Sequence, residues 1–504
     1  MAVKIITAAV RGIDGFMISV EIDIERGLPC FNIVGLAEAS VRESKERVRA
    51  AIINSGFEFP VARIIVNLAP ADVRKDGSQF DLPIAIGILT ATNQIVFTDT
   101  EEFVIMGELS LFGELKGIKG VLPITIEAIK NNINSFLLPY ENANECSAVK
   151  GSKAYYFNDL KQVAGYISYR DLVPYEYSEN YDCIRSNLDF EDVIGQESCK
   201  RAVEVAAAGN HNILMVGAPG SGKTMIAERI PSILPELTYE ESLEVTKIYS
   251  ILGKLDCSNG LIKNRPFRNP HHNTTVTSII GGGNLMPGEV SLSHNGVLFL
   301  DEVLEFKSKV LEALRQPLEE KKIRISRLSG NVEYPANFMA VFSTNPCPCG
   351  FYKSSRPCTC SDYERKRYIN KLSGPIIDRI DLFTFVNPIS YNEIQSKTKN
   401  ENSSCIRNRV EMARKIQKER FKNYGIHCNS EMNTRLIKKY CKLSRGCSDI
   451  MATIYNKFNL STRAYSRILK VSRTIADLEG SKNIEKKHIV ESLQYRRFLN
   501  EEII

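Results

Sequence analysis

The sequence predicts a multidomain α/β chain: an α/β first domain over residues 1–168, a linker at 169–187, a second domain at 188–388 with a parallel sheet, and a helical domain at 389–504. Three observations predict it. Up to about Ser168, strand-like runs (FMISVEIDI, RIIVNL, NSFLLP) alternate with helix-like ones. Three later apolar runs of strand length, ILMV, VLFL and FMAVFST, each stop at a glycine or a polar residue. From 389 onward the text reads as helix after helix, with SYNEIQSK and VEMARKIQKERFKN as amphipathic starts. At 504 residues and 43% apolar composition, roughly three domains can each bury a core.

Within the first domain the clearest helix spans 38–54, where Val41, Val48 and Ile52 recur near a 3.6 period. LPIAIGILTA, Leu82 to Ala91, is the longest apolar run and is too short for a hydrocarbon layer of about 30 Å, so it reads as a buried helix. Arg11 and Asp14 interrupt the N-terminal apolar stretch before a secretion signal can develop. Cys30, Cys183 and Cys257 are scattered without framework spacing, as in a reducing compartment. The expectation is a soluble cytoplasmic protein without a membrane partner. Residues 170–187 are polar, aromatic and aperiodic, and no repeat of 20 to 50 residues is present.

HNILMVGAPGSGKTMIAERI is the most specific signal. A buried strand runs into Gly217, Ala218, Pro219, Gly220, Ser221, Gly222, Lys223 and Thr224, which match G-x-x-x-x-G-K-[ST], and a helix follows. Glycines let backbone N–H groups wrap phosphates, and the helix N-terminus adds its dipole. Lys223 is expected to pair with the β and γ phosphates of ATP, and Thr224 to ligate Mg²⁺. Hydrolysis needs acids on a second strand, and GVLFLDE supplies Asp301 for the Mg²⁺ shell and Glu302 to polarise the attacking water. Asn345, closing the third strand, would alone be a turn residue; in series with the other two it is expected to orient the water or the γ-phosphate.

Between Lys321 and Ile380 eleven Lys/Arg face four acids, an excess of +7 in a chain whose net charge is +6. KKIRISRLSGNVEYPA alternates, turns at Ser329 and Gly330 and alternates again, so a β-hairpin is expected, with Lys321 and Lys322 at its base and Arg324 and Arg327 on or near its loop. Such cations can follow a nucleic-acid backbone; a solvated hairpin is the alternative. Adjacent His271 and His272 rarely share one metal and read as loop contacts. Cys347, Cys349, Cys358 and Cys360 are spaced C-x-C-x₈-C-x-C, which admits a structural Zn²⁺ site, packed reduced thiols, or a redox switch.

DVIGQESCKRAVEVAAAGNHNILMVGAPGSGKT, FRNPHHNTT, GGGNLMPGEVSLSHNGVLFLDE, SGPIIDRIDLF and STRAYSRILKVSRTIADLEG resemble the AAA+ ATPases of the magnesium-chelatase-like group, and within it the ComM/YifB family. The resemblance covers nearly the whole chain. It implies that Arg379 in IIDRID is an arginine finger on the neighbouring subunit's ATP, hence a hexameric ring. It makes Arg463 in LSTRAYSR the sensor of a helical lid, with Arg467 as the competing position. It puts the 321–336 hairpin toward a central pore. It also implies a Lon-protease-like (ribosomal S5 domain 2-like) first domain. There RKDGSQFDLP has Gln79 where a Lon serine should fall, Ser78 one position early, and Leu122 near the expected lysine, so a non-proteolytic scaffold or DNA-binding surface is expected. Three functions compete: an ATP-driven DNA motor of the branch-migration type in recombination or natural transformation, a Mg-chelatase-type motor, and a protein-remodelling motor. On the family pattern, chelatase motor subunits lack the first domain, which favours the DNA motor.

Overall fold

The computed structural model describes residues 2–36, 38–177, 188–256, 260–327, 330–352, 356–389, 395, 400–457 and 460–496. Much of the linker expected at 169–187, most of SYNEIQSK and the turn of the 321–336 hairpin therefore lie outside the described residues. Two compact units emerge. One holds the residues before 182 together with Tyr239–Ile262, and the other holds the rest.

The first unit is built on a seven-stranded mixed sheet in the order Cys30–Val34, Arg63–Ala69, Asp14–Glu25, Val3–Arg11, Phe103–Ile105, Ser135–Pro139, Lys153–Phe157. Its long hairpin pairs Val3 with Ile22 through to Arg11 with Asp14. The helix Ala39–Asn54 buries Val41, Val48 and Ile52 completely. Asp81–Ala91 is buried from Asp81 to Leu89, as its unbroken apolar text requires. The one ionised group that enters with it, Asp81, is met by the Arg47 guanidinium at 2.7 and 3.1 Å.

Helix Tyr239–Leu252 belongs to this unit, although in sequence it follows the glycine loop and falls inside the span expected for the second domain. Its apolar face, Val245, Ile248 and Ile251, has its partner in helix Val121–Lys130. Ser250 donates to the buried Glu145, and the Lys150 ammonium lies 4.4 Å from the Tyr239 ring centroid. Periodicity marks such a helix but not the surface that receives it.

The second unit contains five parallel strands, β1 (Ile213–Gly217), β2 (Phe267–Arg268), β3 (Val297–Leu300), β4 (Met339–Thr344) and β5 (Leu382–Val386), in the order β2-β3-β4-β1-β5. Every residue of β1, β3 and β4 is buried, which explains their uninterrupted apolar text. Helix Glu197–Gly209 packs beneath β5, and helices Ser403–Phe421 and Thr462–Leu478 pack on it through Val410, Ala413, Val471 and Ile475. The helical C-terminal region is thus part of the same compact unit as the sheet.

Candidate nucleotide site

Parallel pairing puts the carboxyl ends of β1, β4 and β3 on one edge. Ile213 pairs with Val341 and Val216 with Thr344, while Val297 pairs with Met339 and Leu300 with Phe342. Gly217 ends β1, and Asn345 and Asp301 follow β4 and β3 beside it, where ligands of open α/β sheets bind. Gly220 and Gly222 adopt φ of 75° and 94°, a left-handed backbone that suits glycine and turns the loop into the helix Lys223–Ile233.

The side chains converge. The Lys223 ammonium donates to the Gly217 and Ala218 carbonyls at 2.8 and 3.0 Å and to Asn345 Oδ1 at 3.2 Å. Burial lowers its pKa, against the opposing pull of Asp301 and Glu302. Thr224 donates to Asp301 Oδ2 at 2.9 Å. Ser343 donates to the other Asp301 oxygen and accepts the Glu302 N–H at 3.1 Å. Glu302 itself sits at φ 50°, ψ 49°, a conformation costing a non-glycine residue about 1–2 kcal/mol. Its N–H, held by Ser343 and by Asp301 Oδ1 at 3.0 Å, fixes that turn at the strand end.

The donor set fits a magnesium nucleotide. A hydroxyl and a carboxylate stand together, an ammonium lies beside the glycine loop, and the buried Ser221 hydroxyl has no protein partner among the described residues. Beside the loop lies a cavity of about 370 Å³ lined by Gly217, Ala218, Pro346, Tyr352, Phe385 and Asn387, among others. Two residues around this site had no role in the sequence reading. Ser343 was detectable as a hydroxyl inside an apolar strand. Gln196, also at positive φ, exchanges hydrogen bonds with the Asn387 main chain at 2.5 and 3.2 Å, a pairing across nearly two hundred residues with no local signal.

Arg379 and Arg463 are not brought to this edge. Asn212, just before β1, donates to the Arg379 carbonyl at 2.8 Å, which puts Arg379 at the amino end of a strand about 16 Å long. Its guanidinium is bonded to Glu319 and to the Pro375 carbonyl at 2.6 Å. Arg463 lies 3.9 Å from Asp378 and is 63% exposed, whereas Arg467 is tied to Asp381 at 3.5 Å and to the Ile380 carbonyl at 3.2 Å. The helical region therefore presents Arg463, the less constrained of the two, on the same side as Arg379. Asp381 nearby is largely buried, with 12% of its side chain exposed. Burial opposes its charge, but His211 at 3.2 Å, Arg467 and Lys470 outweigh that and hold its pKa below the usual carboxylate range.

The hairpin forms as Lys322–Arg327 paired with Gly330–Pro335. Its cations are less available than their spacing implies. Lys322 and Arg324 both bond Glu333, at 2.7 and 2.9 Å, and Arg327 reaches the Gly282 carbonyl at 3.4 Å. Lys321 departs from the expectation. Its amine turns inward, 5.8 Å from the Phe338 ring centroid, and burial lowers its pKa. The helix ends at Lys321 with φ 57°, which swings this side chain away from the hairpin strands. His271 and His272 pack ring against ring at 4.1 Å, as loop contacts.

Cys347, Cys349, Cys358 and Cys360 come together, with all four sulfurs within 4.8 Å of one another. In the first unit, Ser78 donates to Glu108, Gln79 folds onto the Asp76 carbonyl at 3.0 Å, and Leu122 is fully buried. Lys75 is spent on the carbonyls of Gly35 and Pro70.

A family model described as magnesium chelatase, subunit ChlI, matches residues 189–394, and the ChlI C-terminal model matches 400–496. The chain is 41% identical over 497 residues to competence protein ComM of Haemophilus influenzae, covering 97% of this chain and 96% of the relative. The chain belongs to the ComM/YifB family of magnesium-chelatase-like AAA+ ATPases. YifB of Escherichia coli is 40% identical over 495 residues, covering 97% and 96%. More distantly, the chain is similar to Lon protease 2 of Bacillus subtilis, 24% identical over 176 residues, covering 32% of this chain and 31% of the relative, and to DNA replication licensing factor mcm-6 of Caenorhabditis briggsae, 22% over 311 residues, covering 59% and 34%. One comparison corrects the sequence argument: residues 20–142 also match a model described as subunit ChlI of Mg-chelatase. The first domain therefore does not by itself separate a DNA motor from a chelatase motor in this family. Among the described residues, no helix is long and apolar enough to cross a membrane.

Proposed function

We propose that this ComM/YifB-family chain is a cytoplasmic ATP-driven motor that works as a hexameric ring and moves on DNA. The observation that carries the ring is the separation of Arg379 from its own glycine loop by the length of β1. A guanidinium at the amino edge of the sheet does not complete its own nucleotide site, and once released from Glu319 it would serve a neighbour's. Arg463 on the same side has the same reach, so we assign both to the adjacent subunit's ATP.

The chain's residues divide the work of ATP hydrolysis by in-line attack of water. Lys223 neutralises phosphate charge from beneath the loop. Asp301, oriented by Ser343, and Thr224 are the residues that would hold Mg²⁺, which when bound supplies charge neutralisation between the phosphates. Glu302 would polarise the attacking water, and Asn345, one strand over, would orient it. Arg379 of the adjacent protomer stabilises the charge that develops as the phosphate leaves.

DNA is supported by the hairpin with Arg324, Arg327 and Lys322, by the word competence in the name of the ComM relative, and by the distant similarity to a replication licensing factor. The side-chain pairings of Ser78, Gln79 and Lys75 support a non-proteolytic first domain. The ChlI matches favour a second reading, a motor acting on a protein partner. ATP hydrolysis measured with and without forked and four-way DNA separates them. The DNA reading expects stimulation that fades as salt rises; a rate indifferent to DNA at every salt concentration favours the protein partner.

A further inference from the structure

We propose that Cys347, Cys349, Cys358 and Cys360 hold one Zn²⁺ as a tetrathiolate, and that this metal fixes Pro346, Gly350 and Tyr352 against the glycine loop and the cavity beside it. The second half rests on the nucleotide reading of the glycine loop; the first does not.

The sulfur geometry suits the ion. Zinc to thiolate distances of about 2.3 Å put the sulfurs of a tetrahedron roughly 3.8 Å apart. Here Cys347 Sγ lies 3.3 Å from Cys349 Sγ and 3.7 Å from Cys358 Sγ, and Cys349 Sγ lies 3.6 Å from Cys358 Sγ. Backbone N–H groups are aimed at sulfur: Cys349 donates to Cys360 Sγ at 3.4 Å and Tyr352 to Cys347 Sγ at 3.3 Å. Such donors favour thiolate, the form that ligates metal.

The address of the cluster links it to ATP. Cys347 comes two residues after Asn345, whose amide oxygen receives the Lys223 ammonium. Gly350, at φ 83°, lies so close to the glycine loop that a Cβ there would meet Pro219 Cδ at 2.6 Å. Pro346 and Tyr352 line the cavity beside Gly217 and Ala218. Among the described residues, no helix or strand lies between Thr344 and Asp362, so no backbone ladder holds this wall. At its far end Arg365 donates to the Cys360 carbonyl at 2.8 Å and lies 4.2 Å from the Tyr352 ring centroid, tying the cluster to the capped helix Asp362–Ile369. A four-sulfur centre would add a cross-link that holds Pro346, Gly350 and Tyr352 against the loop.

The test uses the full chain. Zinc per protomer is measured by mass spectrometry, the metal is displaced with a mercurial and a chelator, and the affinity for a fluorescent ATP analogue is measured before removal, after it, and after refilling with zinc. The expected results are one zinc per chain, about a tenfold or greater loss of nucleotide affinity on removal, which is about 1.4 kcal/mol, and recovery on refilling. Cobalt in place of zinc should give the intense sulfur-to-metal charge-transfer bands of a tetrathiolate. The Cys358→Ser/Cys360→Ser variant should lose the metal; if it does not fold, displacement and refilling on the natural chain decide. Folded protein without zinc that binds ATP overturns the site. Metal-free protein with native circular dichroism and unchanged affinity overturns the coupling. Zinc-loaded protein that binds no nucleotide instead overturns the nucleotide reading and, with it, the coupling.

Discussion

The hydroxyl of Thr224 donates to the carboxylate of Asp301 across 2.9 Å, joining the first turn of the glycine-loop helix to the end of β3. A strand lies between β1 and β3, so the two residues meet over the end of β4, where Ser343 and Asn345 stand. That meeting defines the site more sharply than either motif alone.

Lys223→Ala removes the buried ammonium and should abolish nucleotide binding, measured by equilibrium titration with an ATP analogue. Glu302→Gln keeps the shape of the turn and should bind ATP with near-normal affinity while hydrolysis falls by about 10²-fold or more, the usual range for losing a positioned base. Full turnover by Glu302→Gln removes that residue from the mechanism.

Ser343→Ala takes away a donor to Asp301 and an acceptor of the Glu302 N–H. The expected cost is about 1–3 kcal/mol of stability by denaturant titration, with kcat falling more than ATP affinity because Glu302 loses one of the two bonds that hold its turn. Equal losses in kcat and in ATP affinity would point to general disruption of the site.

Asp381 gathers His211, Arg467 and the Asn212 N–H at the amino edge of the sheet. Its folded pKa is depressed, so its contribution is fully present above the unfolded value of about 3.9 and is lost as pH falls through the lower folded value. Asp381→Asn should therefore be clearly less stable than the natural chain at neutral pH. The gap should narrow below about pH 4. Thermal melts across pH check the sign, and a gap that widens in acid contradicts it.

Charge reversal of the hairpin, Arg324→Glu with Arg327→Glu, should weaken DNA binding by about tenfold or more and flatten its dependence on salt. Fluorescence anisotropy with labelled four-way DNA at two salt concentrations measures both, with the melting temperature as the folding control. Lys321→Ala should act differently: its amine is turned into the unit, so loss of stability is expected before loss of DNA affinity.

The sequence carried much of the glycine-loop edge because each of its parts is local. A buried parallel strand must be apolar on both faces, and the polar residue that follows it is conspicuous, which is how Asp301, Glu302 and Asn345 stand out. The first-domain helices were legible for a similar reason, since Val41, Val48 and Ile52 share one face. What the text hides is non-local. Nothing around Gln196 announces the Asn387 main chain, and nothing in Tyr239–Leu252 says that its apolar face belongs with Val121–Lys130. The direction of a long side chain is hidden too: Lys321 and Lys322 are adjacent letters, yet one amine turns in and the other pairs with Glu333. Arg463 and Arg467 lie one helical turn apart, and only the structure shows that Arg467 is committed to Asp381 while Arg463 remains exposed.

The most direct test of the ring account mixes two inactive proteins. Lys223→Ala cannot fill its own loop but keeps Arg379, and Arg379→Ala keeps its loop but should be slowed about 10³-fold alone. If ATP sites are completed between subunits, mixing the two in the presence of four-way DNA creates sites with an intact loop from one chain and an intact arginine from the other. ATP hydrolysis should then rise well above that of either variant. A mixture no more active than its components, with co-assembly verified by size, contradicts the account.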